Sequence, residues 1–237
     1  MIRKYVYFFS GLFGFNSIIC NGQESIFLIP EIPKNGKSIT EFIPANWNIR
    51  DSLSGDFNKD NLRDVAVVIQ SKQPLTSIDT VCFSNDPFYP KALIILLRQQ
   101  DKSLQLSKRA TKIFGDCNWG IQGSDPFDRI EERRNTIGLI FMTGGTTRNQ
   151  LSYYFRFQNN DWYLIGAESF QYWAGHTDGP GSFYSEEINF LTSEKVKYNA
   201  DEKGNKSEYK KTAIGRKPLI KLSDFSNETI IPFDEGQ

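Results

Sequence analysis

Five residues spread over nine positions carry the strongest chemical signal in the chain. Asp56, Asn58, Asp60 and Asp64 place side-chain oxygens at loop positions one, three, five and nine, and Leu62 at position seven can offer its carbonyl. Ca²⁺ takes about six to eight oxygens at roughly 2.3–2.6 Å, and a curled loop can turn alternate residues inward together. Three carboxylates this close repel one another unless a cation sits between them. The β-branched run from Val65 to Ile69 follows directly and reads as a buried strand that would anchor the loop. A calcium loop is the expectation. A metal-free polar turn, its carboxylates solvated, is the competing reading.

The loop departs from an EF-hand. The twelfth position is Val67, where a bidentate Glu would sit, and the sixth is Asn61 in place of Gly. Asn tolerates the left-handed backbone, so the turn is still possible. A second set, Asp116, Asp125 and Asp128, is irregularly spaced and matches Asp-Pro and Gly turn chemistry better than a metal site.

Catalytic signals are weak. The chain has one histidine, His176, which with Asp178 and a nearby Ser could form a hydrolytic set; a solvent-facing loop position is the plainer reading. Glu131, Glu132 and Glu168 are candidates for a pair of glycosidase carboxylates, with no separation readable from the sequence. No Gly-x-Ser-x-Gly elbow and no phosphate-cradling glycine fingerprint occurs.

The elements that must position these residues read as strands. Aromatic residues make up 14% of the chain while alanine is scarce, which favours sheet. Residues 23–50, with Pro30, Pro33 and Pro44, read as an extended lead-in, and residues 71–91 as a loop carrying Cys82. Ala92 to Arg98 is a continuous apolar strand, Gln99 to Ser103 a turn, and Leu104 to Phe114 the returning strand. Thr136 to Thr143 is the next strand. A hairpin follows, with Tyr153, Phe155 and Phe157 on one face, a turn at Asn159-Asn160-Asp161, and Trp162 to Gly166 returning. That aromatic stripe reads as core packing, with a carbohydrate-stacking face as the sharper alternative. Residues 188–191, 195–200, 208–214 and 219–222 add strands, and residues 226–237 read as a frayed tail.

Residues 1–22 read as an export signal: Arg3 and Lys4, an apolar stretch from Tyr5 to Phe15, then Cys20-Asn21-Gly22. Lipidation at Cys20 is the rival, and would be the protein's one membrane attachment. The charges balance at 28 against 28, or 26 against 28 without Arg3 and Lys4, which argues against nucleic acid as a partner. In an oxidising compartment Cys82 and Cys117 are expected to pair.

The Asp56 loop resembles the Asp-rich calcium loops of FG-GAP and VCBS-type repeats, here in a single copy. With Leu96-Leu97-Arg98, Gly115-Asp116-Cys117, Asp125-Pro126-Phe127, the run from Tyr154 to Asn159, Trp162 to Gly166 and Ile188 to Thr192, the chain is similar to a family of exported bacterial proteins. The resemblance implies an envelope or secreted location and a β-rich domain, and it implies no activity. The Cys82 loop departs from that pattern.

The expectation is therefore a mainly β protein: one antiparallel domain over residues 23–237, sandwich or partial propeller, with few or no helices. Its expected role is that of a calcium-stabilised binding protein of the bacterial envelope, periplasmic or secreted, with a protein or glycan partner. An inhibitor or immunity-type role falls within that class. A hydrolase of envelope polymers or glycans is the alternative.

Overall fold

Val65 to Ile69 and Ala92 to Leu96 are buried without a break. The computed structural model shows why such runs suit a strand covered on both sides. It describes residues 29–75, 86–115, 117–173, 183–200, 205–229 and 231–233; residues 1–22, read as an export signal, with Cys20, and Cys82, Asp116, His176 and Asp178, lie outside the described residues. Strands β3 (Asp64–Ser71) and β4 (Lys91–Arg98) pair antiparallel at the centre of a five-stranded sheet. Alternate side chains leave opposite faces of a strand. Ala66, Val68, Leu93 and Ile95 thus face one core, and Val65, Val67, Ile69, Ile94 and Leu96 another.

Around that pair the sheet runs in the order β1 (Asn35–Gly36), β5 (Leu104–Ala110), β4, β3, β2 (Trp47–Gly55). Seven further strands form an antiparallel meander in chain order: β6 (Phe127–Glu132), β7 (Ile137–Gly144), β8 (Thr147–Gln158), β9 (Asp161–Trp173), β10 (Phe183–Asn189), β11 (Glu194–Ala200) and β12 (Lys206–Ala213). One core lies between the two sheets and joins β3 and β4 to Phe141, Tyr153, Phe155, Trp162 and Leu164. The protein is mainly β, with two antiparallel sheets and no closed barrel. Tyr153, Phe155 and Phe157 belong to this core, so the stripe serves packing and not carbohydrate stacking.

From residue 29 onward the lead-in lies over the outer face of the five-stranded sheet. Ile32, Phe42 and Trp47 pack there, with Phe42 fully buried in a short 3-10 turn, Ile39–Phe42. A Cβ at Gly36 would come within 2.7 Å of the Phe42 ring, so glycine is needed at that point.

Four expectations need correction. Trp47 opens strand β2 and does not end an extended arm. Asp128, read as turn chemistry, lies in a strand, β6 (Phe127–Glu132). The strand from Leu104 stops at Ala110, and Lys112–Phe114 is a 3-10 turn that buries Ile113 and Phe114. The C-terminal stretch packs: Phe225 is buried, and Ile231 and Phe233 lie against the core.

Candidate functional site

The Asp loop closes the β2–β3 hairpin, where Gly55 pairs with Asp64. Phe57 turns inward beneath it, fully buried and edge-on to Trp162 at 6.1 Å between centroids. Lys59 and Asn61 both take left-handed backbone, at φ 65° and 68°. The side chains then wrap around main-chain amides. Asp56 accepts from the amides of Asp60 (3.1 Å) and Asn61 (3.0 Å), and Asp60 accepts from the Leu62 amide (2.8 Å) and the Asn58 side chain (2.8 Å). Asn58 also accepts from the Asp60 amide at 3.2 Å.

Asp64 is different. It is fully buried, and its two oxygens accept from the amides of Phe57 (3.0 Å) and Arg98 (2.9 Å), tying the loop to β4. Burial pushes its carboxyl above the ordinary value, and the Arg98 and Phe57 amides pull the other way. Asp56 and Asn58, half-buried, and Asp60, exposed, therefore share the rim, while Asp64 is buried against the sheet beneath. Among the described residues, no group of three His, Cys, Asp or Glu side chains is placed to hold a metal.

The second acidic set is dispersed. Asp125 accepts from the Phe127 amide at 3.1 Å and pairs with the buried Lys91 at 3.0 Å, while Asp128 pairs with Arg129. Both roles are structural. Cys117 is half-buried, and its expected partner Cys82 lies outside the described residues. His176 and Asp178, named for a hydrolytic set, lie outside them too.

Strand register does bring together two of the three glutamates named from sequence. Glu131 pairs with Gly138, Gly138 with Tyr154, and Tyr154 with Gly166, so these four form one row on the outer face of the seven-stranded sheet. A Cβ at Gly138 would stand 2.9 Å from the Tyr154 ring. Glycine there lets the tyrosine lie along the sheet. Its hydroxyl reaches Glu131 and Glu168 at 3.1 Å each, and having one proton it donates to one of them at a time. The Arg133 guanidinium lies 5.3 Å from the Tyr154 ring centre and forms an ion pair with Glu168. Burial, then the Glu168 charge, pushes the Tyr154 hydroxyl well above the ordinary phenol value. Glu132 faces elsewhere and accepts from the Asn135 amide at 3.0 Å.

This cluster floors one end of a groove of about 480 Å³ over β8–β12. Glu168, Glu187, Val196 and Lys211 continue the floor as a second cross-strand row. Leu191 and Tyr209, two of the three exposed large hydrophobic residues among those described, line the same groove. Sequence reading missed it because the row is made by pairing across strands far apart in the chain. The available signal was Tyr154 itself, an aromatic residue out of phase with the Tyr153–Phe155–Phe157 stripe. A second, more apolar cavity of about 360 Å³ lies between Leu164 and Phe190 and the C-terminal stretch at Leu219, Ile220 and Ile231.

Comparison with known proteins finds no matching family model, no matching curated protein and no matching solved structure. No helix among the described residues is long and apolar enough to cross a membrane.

Proposed function

We propose that this is an exported binding protein of the bacterial envelope, periplasmic or secreted, which engages a protein or glycan partner through the outer face of its seven-stranded sheet. An inhibitor or immunity-type role belongs to the same reading. The observation that carries it is the Arg133–Tyr154–Glu168 floor of the groove, with Tyr154 and Glu168 on paired strands and Arg133 at the β6–β7 turn. Binding sites are typically concave, with a few well-placed polar groups among apolar ones. The basic and apolar start of the sequence and its resemblance to exported proteins support the location. Pairing of Cys82 with Cys117 and, as the alternative anchor, lipidation of Cys20 belong to the same proposal.

Calcium enters this reading at the loop rim, on Asp56, Asn58 and Asp60 with the Leu62 carbonyl, completed by water. Asp64 would hold the loop from below through the Phe57 and Arg98 amides. The loop is already closed by amide-to-side-chain bonds, so the cation would stabilise it without being required to form it.

One observation favours a hydrolase. Glu131 and Glu168 both reach the Tyr154 hydroxyl at 3.1 Å, so those oxygens lie no more than twice that distance apart. Retaining glycosidases use about 5–5.5 Å. Each carboxylate, however, already has an arginine partner, Arg129 for Glu131 and Arg133 for Glu168. Both carboxylates are thus already engaged, each by an arginine and by the Tyr154 hydroxyl. Binding is the better account. The test is retention of envelope extract on immobilised wild-type protein compared with an Arg133→Ala/Glu168→Ala variant of the same fold.

A further inference from the structure

The β6–β7 turn places an arginine where the backbone disfavours one. Arg133 and Thr136 exchange main-chain hydrogen bonds at 3.3 and 3.1 Å, and the two residues between them, Arg134 and Asn135, have φ of 53° and 60°. Such two-residue turns favour Asn, Asp or Gly at both positions, and a long side chain at the first one costs stability. Strain of this kind persists at sites where it serves a purpose. Arg134 lines the groove and makes no hydrogen bond or ion pair among the described residues. Arg156 lines it as well and uses one nitrogen on Gln158, at 3.1 Å. Two guanidinium groups with unused donors thus stand at the end of the groove where Glu168 and Tyr154 form the floor.

We propose that the groove takes a carboxylate-bearing saccharide. Arg134 and Arg156 would hold the carboxylate, since a guanidinium fork matches carboxylate geometry. Glu168 and Glu187 retain lone pairs for sugar hydroxyls, and Tyr209, 60% exposed, supplies a ring face at the rim. A hydroxyl donates and accepts at once, and a groove lined by both carboxylates and guanidinium groups satisfies both roles. An extended peptide fits less well. From Tyr154 to Val196 the floor belongs to β8–β11, which are paired on both sides; β12, which carries Tyr209 and Lys211, has a free edge only on the side away from that floor. A polyanion such as nucleic acid would meet Glu168, Glu187 and Glu194 in the same groove.

The inference rests on the binding reading above, and its test separates the two. Wild-type protein is applied to an array of uronate oligosaccharides, their neutral counterparts and acidic peptides, and in parallel to envelope extract. Uronate oligosaccharides should be retained at least tenfold over the neutral ones and recovered chemically unchanged. Arg156→Ala and Arg134→Asn should each lose that preference, while Arg134→Asn raises the melting temperature because Asn suits the left-handed backbone. Equal retention of neutral sugars, preference for acidic peptides, or undiminished uronate binding by both variants would overturn the proposal. An empty array alongside retained extract would overturn the saccharide and leave the binding reading standing. Retention of nothing in either arm would count against both.

Discussion

The side-chain amide of Asn135 donates to the main-chain carbonyl of Asp56 at 3.2 Å, which joins the Asp loop to the turn that carries Arg133 and Arg134. The two features singled out by their chemistry, loop and groove, are therefore neighbours.

Asn135→Gly isolates that link, because glycine keeps the left-handed turn position at φ 60° while removing the bond. Stability in urea should fall by about 1 kcal/mol, the usual worth of one hydrogen bond. Retention of the partner should weaken with it. Unchanged stability and retention would mean that loop and turn are merely adjacent.

Lys91 offers a sharper stability test. It is buried, held by Asp125 at 3.0 Å and by the Tyr89 carbonyl at 3.1 Å, and burial pulls its pKa below that of an ordinary lysine. Removing one partner of a buried pair strands the other. Asp125→Ala should cost about 3 kcal/mol, the low end for such pairs, because Asp125 itself is 35% exposed. Lys91→Met keeps the volume without the charge and should cost clearly less. Denaturant curves for the two variants check the order, and the reverse order would contradict it.

Alkaline titration reads the core. Burial pushes the Tyr153 hydroxyl up to about 12. The proton is held more tightly in the folded state, so this contribution to stability is complete below about pH 10 and is lost as pH rises through about 12. Its size is on the order of 2 kcal/mol. Absorbance of ionised tyrosine near 295 nm should show a late component that Tyr153→Phe reduces by the share of one tyrosine, Tyr154 supplying the rest. A wild-type titration complete by about pH 10.5 would show that the ring is open to water.

Calcium should add to the loop at modest affinity, since no bidentate Glu is present: within about 10⁻⁵–10⁻³ M. At one hundred times the dissociation constant, binding stabilises the fold by about 2.7 kcal/mol, which is several degrees in melting temperature for a chain of this size. Calcium should act better than magnesium, and Asp60→Ala should abolish the response. Identical melting curves in chelator and in millimolar calcium would leave the loop as a turn closed by its own amides.

Central elements were legible in the sequence and edge elements were not. Val65 to Ile69 and Ala92 to Leu96 announce themselves because a strand covered on both faces has no polar residue to interrupt the run. Tyr153, Phe155 and Phe157 show the period of two, and Asn159 and Asn160 turn the chain at φ 50° and 59°, as their residue type suggests. Strands β2 and β6 lie at the edges of their sheets and are rich in polar residues, so Trp47–Gly55 and Phe127–Glu132 resemble loop. The Asp loop was readable as a loop, but not the burial of Asp64 or the two amides that bond it. Least legible was the groove, because Glu131, Tyr154 and Glu168 meet only once the register of β6 to β9 is fixed. Phe225 gave no periodic pattern to mark its burial.

The most direct test of the account is retention of envelope material by wild-type protein and by Arg156→Glu, a charge reversal on the groove that leaves the core untouched. With melting temperatures matched, wild type should retain a specific component and the variant should lose it at least tenfold. Equal retention of the same component by both proteins would contradict the assignment of the outer sheet face as the binding surface.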